Sequence, residues 1–285
     1  VSDFPGALPA DSVGYRISCT PKNGDRFVIA GHEPGGEDTQ RVVLLEGGFR
    51  GGVSEPDIAT TEQPWGLGLV QAGHVKFADM TGSLEVVAWS NEHAAAENFR
   101  DWRSAWLSTL PPKPGAPYRP IVLDVVNRAG LGVWTPAVLD SVPAAPDREP
   151  RLSRYVKDSI SWRSLSGCWF SPVERYSGNF VVVPRGDAVP RCRLQWTGRA
   201  GTVRFPDGRR VSLPGVQGGP FFIDLDRGMS GHVTRVSDGV TVPGVWAGLR
   251  GYIQGVSLAL HERVRWELSP GLELLVENRH FSPWK

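Results

Sequence analysis

Hydrophobic and polar positions alternate in short runs along most of this chain, and at one place the period changes from two to between three and four. Val13 to Thr20, Arg26 to Gly31 and Arg41 to Leu45 read as strands, the first two flanking a Pro21-Lys-Asn-Gly24 turn. The pairs Gly47-Gly48 and Gly51-Gly52 break this pattern, and the stretch from Gly47 to Pro64 carries so many Gly and Pro that it is expected as an exposed arm. His74 to Asp79 and Ser83 to Trp89 are expected as a strand pair joined at Met80-Thr-Gly82. Between Ser90 and Thr109 the period lengthens. Ala95, Phe99, Trp102, Trp106 and Leu110 fall on one helical stripe, while Glu92, Glu97, Arg100, Asp101 and Arg103 lie largely on the other side. Ser90 and Asn91 are the candidate caps. A stripe with two tryptophans needs a sheet to receive it, which points to a β-sandwich closed by one helix rather than an all-β barrel.

Pro111-Pro-Lys-Pro-Gly-Ala-Pro117 ends the helix, because prolines remove backbone donors and disfavour helical geometry in the residue before them. Arg119 to Val126 and Gly132 to Val142 then read as a hairpin turned at Asn127-Arg-Ala-Gly130, and Arg151 to Arg163 as a long strand. Regular alternation stops at Ser164 to Gly178. The domain boundary is placed there, giving a first domain over 1–165 and a second over 166–285 that ends in a charged, aromatic tail. The second half shows strand patterns at Phe180 to Pro184, Arg191 to Trp196, Gly201 to Phe205, Arg209 to Leu213, Phe221 to Leu225, His232 to Val236, Gly255 to His261, Val264 to Leu268 and Leu272 to Glu277. Such spacing suits a second sandwich or a jelly roll. No helix is expected in that half, and no repeat of fixed period relates the two halves.

Composition narrows the function classes. With 31 Lys+Arg against 30 Asp+Glu, the 285-residue chain has a formal charge of +1, without the basic field that nucleic-acid binding requires. The 34 glycines and 24 prolines fit a turn-rich β protein. Cys19, Cys168 and Cys192 lie far apart, and an odd count argues for buried thiols in a reducing compartment rather than a disulfide framework. No secretory signal and no apolar run long enough to cross a bilayer is visible, so membrane insertion is not expected.

Candidate chemistry is sparse. Gly228-Met-Ser230-Gly231-His232 is not a G-x-S-x-G nucleophile elbow, and Ser230 reads as a turn residue. Asp224-Leu-Asp226 opens like a calcium loop but lacks the later acidic ligands. The six histidines are scattered, and the acid pairs Glu37/Asp38 and Glu55/Asp57 sit in loops. No catalytic residue, metal or cofactor is assigned. Six of the 11 tryptophans, Trp89, Trp102, Trp106, Trp162, Trp196 and Trp266, sit where a core is expected, and Trp246 and Trp284 are the exposed interface or ligand candidates. The arm adds Phe49, Arg50, Glu55 and Asp57 as interface candidates.

The strand pair ending at Trp89, the helix with Phe99-Arg-Asp-Trp102-Arg-Ser-Ala-Trp106, the hairpin ending near Val142 and the link Ile160-Ser-Trp-Arg-Ser-Leu-Ser-Gly-Cys-Trp169 follow one another in a recognisable order. This order resembles the distal tail proteins and related minor tail proteins of long-tailed phages, especially those of actinobacterial hosts. Gly178-Asn179, Pro190 to Gly198, Val203 to Leu213, Asp238-Gly239 and Trp266 to Glu277 are similar to that family's second, galectin-like sandwich. The resemblance implies a structural virion protein rather than an enzyme. It implies a ring, usually a hexamer, whose first domain joins the tail tube to the tip or baseplate and whose second projects outward. The implied partners are further copies of itself, the tail tube protein, the tape measure protein and the tip hub protein, with assembly in the host cytoplasm. A carbohydrate-binding or host-adhesion module, holding a host glycan through Trp246 or loop acids, is the alternative. A glycoside or ester hydrolase is a weaker one, since no convergent acid pair or triad is visible.

Overall fold

A computed structural model describes residues 14–31, 41–57, 60–62, 69–71, 76–90, 95–127, 129–225, 232–249, 253, 258 and 261–284. The chain is mainly β and divides into two compact units, Val1–Trp169 with Phe281–Lys285, and Phe170–His280. The C-terminal residues thus belong to the first unit, and the second is an insertion in its chain.

Unit 1 contains β1 (Tyr15–Thr20), β2 (Phe27–Ala30), β3 (Val42–Gly51), β4 (Pro56–Asp57), β5 (Thr60–Glu62), β6 (Leu69–Gln71), β7 (Lys76–Phe77), β8 (Met80–Trp89), α1 (Ala96–Leu107), β9 (Ile121–Asn127), β10 (Gly132–Leu139) and β11 (Tyr155–Ser164). Its antiparallel ladder runs β2-β1-β9-β10-β11-β8-β3. Alternation sets the inner face: Ile17 and Cys19, Leu123 and Val125, Leu84 and Val86, and Ile160 and Trp162 point into one core. The helix adds Ala95, Phe99, Trp102 and Trp106 to that core, so the expected stripe is the buried one. Trp102 stands edge-on to Phe27 at 5.5 Å and to Trp106 at 5.8 Å.

Polar contacts fix where the helix docks. Arg103 forks onto the buried Asp158 of β11 at 2.6 and 3.2 Å and lies 4.5 Å over the Phe99 ring. Thr109 Oγ1 donates to Trp106 O at 2.7 Å and accepts Leu139 N–H at 3.0 Å, tying the helix end to β10. The helix begins later than expected. Ser90 is not its cap: its N–H donates to Arg154 O, and the N-cap position is Ala95, which makes no side-chain cap bond. Asn91 lies outside the described residues.

Two glycine signals mean something other than the sequence pattern suggests. Met80-Thr-Gly82 does not turn but belongs to β8, where Gly82 faces Trp162 across the ladder. A Cβ there would stand 2.6 Å from the Trp162 ring and 2.7 Å from Arg50 O, so the glycine serves close approach rather than a bend. Gly47-Gly48 likewise bulges β3 without ending it: pairing jumps from Leu44↔Val86 to Phe49↔Leu84, with Gly47 at φ 66°. The hairpin turn at 127–130 is as expected, with Asn127 Oδ1 accepting the N–H groups of Ala129 and Leu131, each at 3.0 Å.

The short strand β12 (Trp169–Phe170) leads into unit 2, which holds β13 (Glu174–Tyr176), β14 (Asn179–Val182), β15 (Ala188–Trp196), β16 (Gly201–Arg204), β17 (Arg210–Leu213), β18 (Phe221–Asp224), β19 (His232–Arg235), α2 (Pro243–Leu249), β20 (Val264–Leu268) and β21 (Leu272–His280). Its strands form two sheets, β19-β18-β15-β21-β13 and β14-β20-β16-β17. Trp196, Phe221, Ile223 and Leu274 of the first share a core with Val203, Leu213 and Trp266 of the second, as in a sandwich. The helix α2 corrects the expectation of an all-strand half. Pro243 suits a first helical turn, and Val245 and Leu249 pack on the core, which outweighs the glycines that make the segment read as a loop. The strand expected at 255–261 falls mostly outside the described residues.

Two stability predictions follow from this packing. Trp102→Ala should cost unit 1 about 3 to 5 kcal/mol in urea denaturation, the usual range for aromatic-to-Ala changes in a core; an unchanged midpoint would show that the stripe is not buried. Gly82→Ala should cost about 1 to 3 kcal/mol by overpacking against Trp162, read as a lowered thermal midpoint, whereas Gly14→Ala, where a Cβ meets nothing and the backbone is not left-handed, controls for glycine replacement in general.

Candidate assembly surface

The expected irregular arm is in large part regular. Gly47 to Gly51 belong to β3, and beyond them β4 pairs with β7 (Pro56↔Phe77, Asp57↔Lys76) and β5 with β6 (Thr60↔Gln71, Thr61↔Val70, Glu62↔Leu69). Among the described residues these strands pair only with one another. They are two short antiparallel ladders on the β3-to-β8 connection, together called the ribbon below, and the β4–β7 ladder is closed at its base by Ala78 N–H donating to Glu55 O at 3.3 Å. The remaining residues of the expected arm, 58–59 and 63–64, lie outside the described residues. A two-stranded ribbon is marginal by itself in water and presents backbone groups along both edges.

The base of the ribbon is built on aromatic packing within unit 1. Phe49 turns into the core between Trp162, Trp169 and Trp284, with ring centroids 6.2, 6.5 and 5.2 Å away. Trp284 also stands edge-on to Tyr15 at 5.1 Å and stays 42% exposed. Gly52 donates its N–H to Thr81 O at 2.9 Å and accepts the indole N–H of Trp169 at 2.7 Å. Ser54 donates its N–H to Phe281 O at 2.7 Å and its hydroxyl to Gly167 O. Arg50 is exposed and pairs with Glu85 at 3.2 Å.

Phe49, Arg50, Glu55, Asp57 and Trp284, all named from sequence, therefore belong to the ribbon, its base and the tail packed there, whereas Trp246 lies on α2 of unit 2. Sequence reasoning missed Tyr15, Gly52, Ser54 and Phe281. Their roles depend on contacts across more than 100 positions of chain, which no local period announces.

The other polar clusters read as structural. Ser18 donates to Asp124 at 2.5 Å, and Arg26 holds both, at 2.6 Å to Ser18 and 3.0 Å to Asp124. In unit 2 the buried Glu277 faces Arg193 at 3.3 Å and Arg191 at 3.9 Å, and Asp224 pairs with Arg191 at 3.7 Å. Burial, and secondly the charge of Arg191, hold the Arg193 guanidinium below its ordinary value, with Glu277 and Asp224 opposing them. Burial, then the hydrogen bond from its hydroxyl to Glu174 and that carboxylate's charge, push Tyr176 up to about 12. Cys19, Cys168 and Cys192 are buried free thiols, and burial pushes the Cys19 thiol up, with Asp124 adding to the effect. Among the described residues no group of three or more His, Cys, Asp or Glu is placed to hold a metal ion. Asp226 and Ser230 lie outside those residues; His232 shares a hydrogen bond with Thr241 at 3.2 Å.

No family model matches the chain, and no curated protein does. In fold it is similar to a solved structure, the Dit protein (gp 19.1) of phage SPP1, described as a paradigm of the hub adsorption apparatus in phages that infect Gram-positive bacteria. The TM-score is 0.53 at 9% identity, over 93% of this chain and 98% of that one.

Proposed function

We propose that this chain is a structural subunit of a phage tail tip, forming a ring at the distal end of the tail that connects the tail tube to the tip or baseplate. The supporting observation is that the likeness to a phage hub protein runs through nearly the whole of both chains, so it includes both units and their order. The reading carries with it the expected partners, neighbouring copies and the tube, tape measure and hub proteins, with six subunits as the expected ring and the virion as its place.

 

A ring subunit must present one surface to the neighbour on its left and a different one to the neighbour on its right, and the ribbon suits such a head-to-tail contact. Its open edges offer N–H and C=O groups that a strand of the next subunit satisfies by β-addition. Ordering a marginal ribbon costs conformational entropy, and contacts on the next chain offset that cost. A near-neutral formal charge of +1 leaves copies free to pack side by side without strong mutual repulsion. In this reading the chain has no catalytic residue and takes no cofactor. Its action is mechanical, to adapt the tube to the tip and leave a central passage.

The test is a deletion confined to the ribbon. Removing Gly48 to Asp57 would cut into β3 and confuse folding with assembly. Replacing 58–75 by an Asn-Gly turn between Asp57 and Lys76 leaves the sheet of unit 1 intact. The parent chain is expected to give a closed ring of uniform mass in solution, and the deletion a folded monomer with a similar thermal midpoint. Equal ring yield from both would remove the ribbon from the assembly contact. A parent chain that stays monomeric, alone and with the tube protein, would contradict the ring itself.

A further inference from the structure

The connection from β3 to the ribbon is held by three separate stretches of unit 1. Gly52 N–H goes to Thr81 O of β8 at 2.9 Å. Gly52 O and the Ser54 hydroxyl go to the 167–169 stretch, through the Trp169 indole at 2.7 Å and through Gly167 O. Ser54 N–H goes to Phe281 O at 2.7 Å, and Trp284 closes over Phe49 and Tyr15. The first two holds are built into the core. Thr81 lies within β8, Trp169 is fully buried, and the residues around it are pinned by Thr135, whose hydroxyl meets Ser164 at 2.6 Å and Cys168 O at 2.9 Å. The third is different. It is made by the four residues that follow β21, outside any strand, and its anchoring ring is 42% exposed.

We propose that Phe281–Trp284 is a latch that fixes the base of the ribbon and, among the holds on it that the described residues make, is the one that can open without unfolding unit 1. With the latch closed, Ser54 N–H has its acceptor, and the Trp284 ring stands edge-on against Phe49. With it open, both groups face water, while β3 keeps its ladder to β8 and the core keeps Trp169. Local opening at low cost is the property of segments that are only partly buried, and of these four residues Pro283 alone is buried, Phe281 and Ser282 being half-buried and Trp284 exposed. The latch itself does not depend on the ring. Only its use does, since under the proposed function the ribbon is the element that a neighbouring subunit grips, and the latch then sets how firmly it is held.

Amide hydrogen exchange on the full chain tests the latch, with Trp284→Ala and Trp284→Phe as variants. Trp284→Ala is expected to speed exchange at Ser54 and Ala78 at least tenfold while leaving Val125 and Val133 of the central ladder unchanged. Trp284→Phe, which keeps a ring against Phe49 and Tyr15, is expected to stay close to the parent. Unchanged rates at Ser54 and Ala78 in the Ala variant would overturn the latch. So would a rise shared by Val125 and Val133, which would make the tail an ordinary part of the core. Either result is readable on a monomer, so failure of the ring and failure of the latch are distinguishable.

Discussion

The first unit depends on one burial event, the seating of the Phe99-Trp102-Trp106 stripe of α1 inside a curled antiparallel sheet. Trp102 and Trp106 are fully buried, yet among the described residues their indole N–H groups have no hydrogen-bond partner. An unpaired buried N–H costs about 1 to 3 kcal/mol. Burying the roughly 200 Å² of a tryptophan contributes about 5 kcal/mol at about 25 cal/mol per Å². Apolar burial therefore wins at each position, and the polar contacts of the helix are left to set direction. Arg103 on Asp158 and Thr109 against Leu139 fix which strands receive the helix rather than whether it docks.

The same core carries the surface proposed for assembly. Trp162 occupies the space opened by Gly82, Phe49 packs beside it from β3, and Trp169 completes the wall while holding Gly52. The ribbon thus leaves unit 1 from a rigid aromatic foundation although its own strands are short and paired only with each other among the described residues.

Period and turn chemistry made much of the fold legible in the sequence. The helical stripe, the hairpin turned at Asn127 and most strands of the second half followed from local pattern, because each is decided by neighbours within a few residues. The misreadings share a cause. Gly82 and Gly47-Gly48 look like breaks in sequence, but the first makes room for an indole 80 residues away and the second absorbs a bulge. The helix α2 was hidden by its glycines, since Val245 and Leu249 gain their stabilisation from a core assembled from distant strands. The named surface residues were found by exclusion from the core, which gave Phe49 and Trp284 without revealing that they touch. Their partners Tyr15, Ser54 and Phe281 carry no local signal at all.

The central claim is that copies of this chain close into a ring. Electron microscopy of the purified full-length chain, averaged over end-on views, tests it most directly. The account predicts one class of closed ring with a single subunit number and a central opening. Monomers alone at high protein concentration, or open filaments of indefinite length, would contradict it.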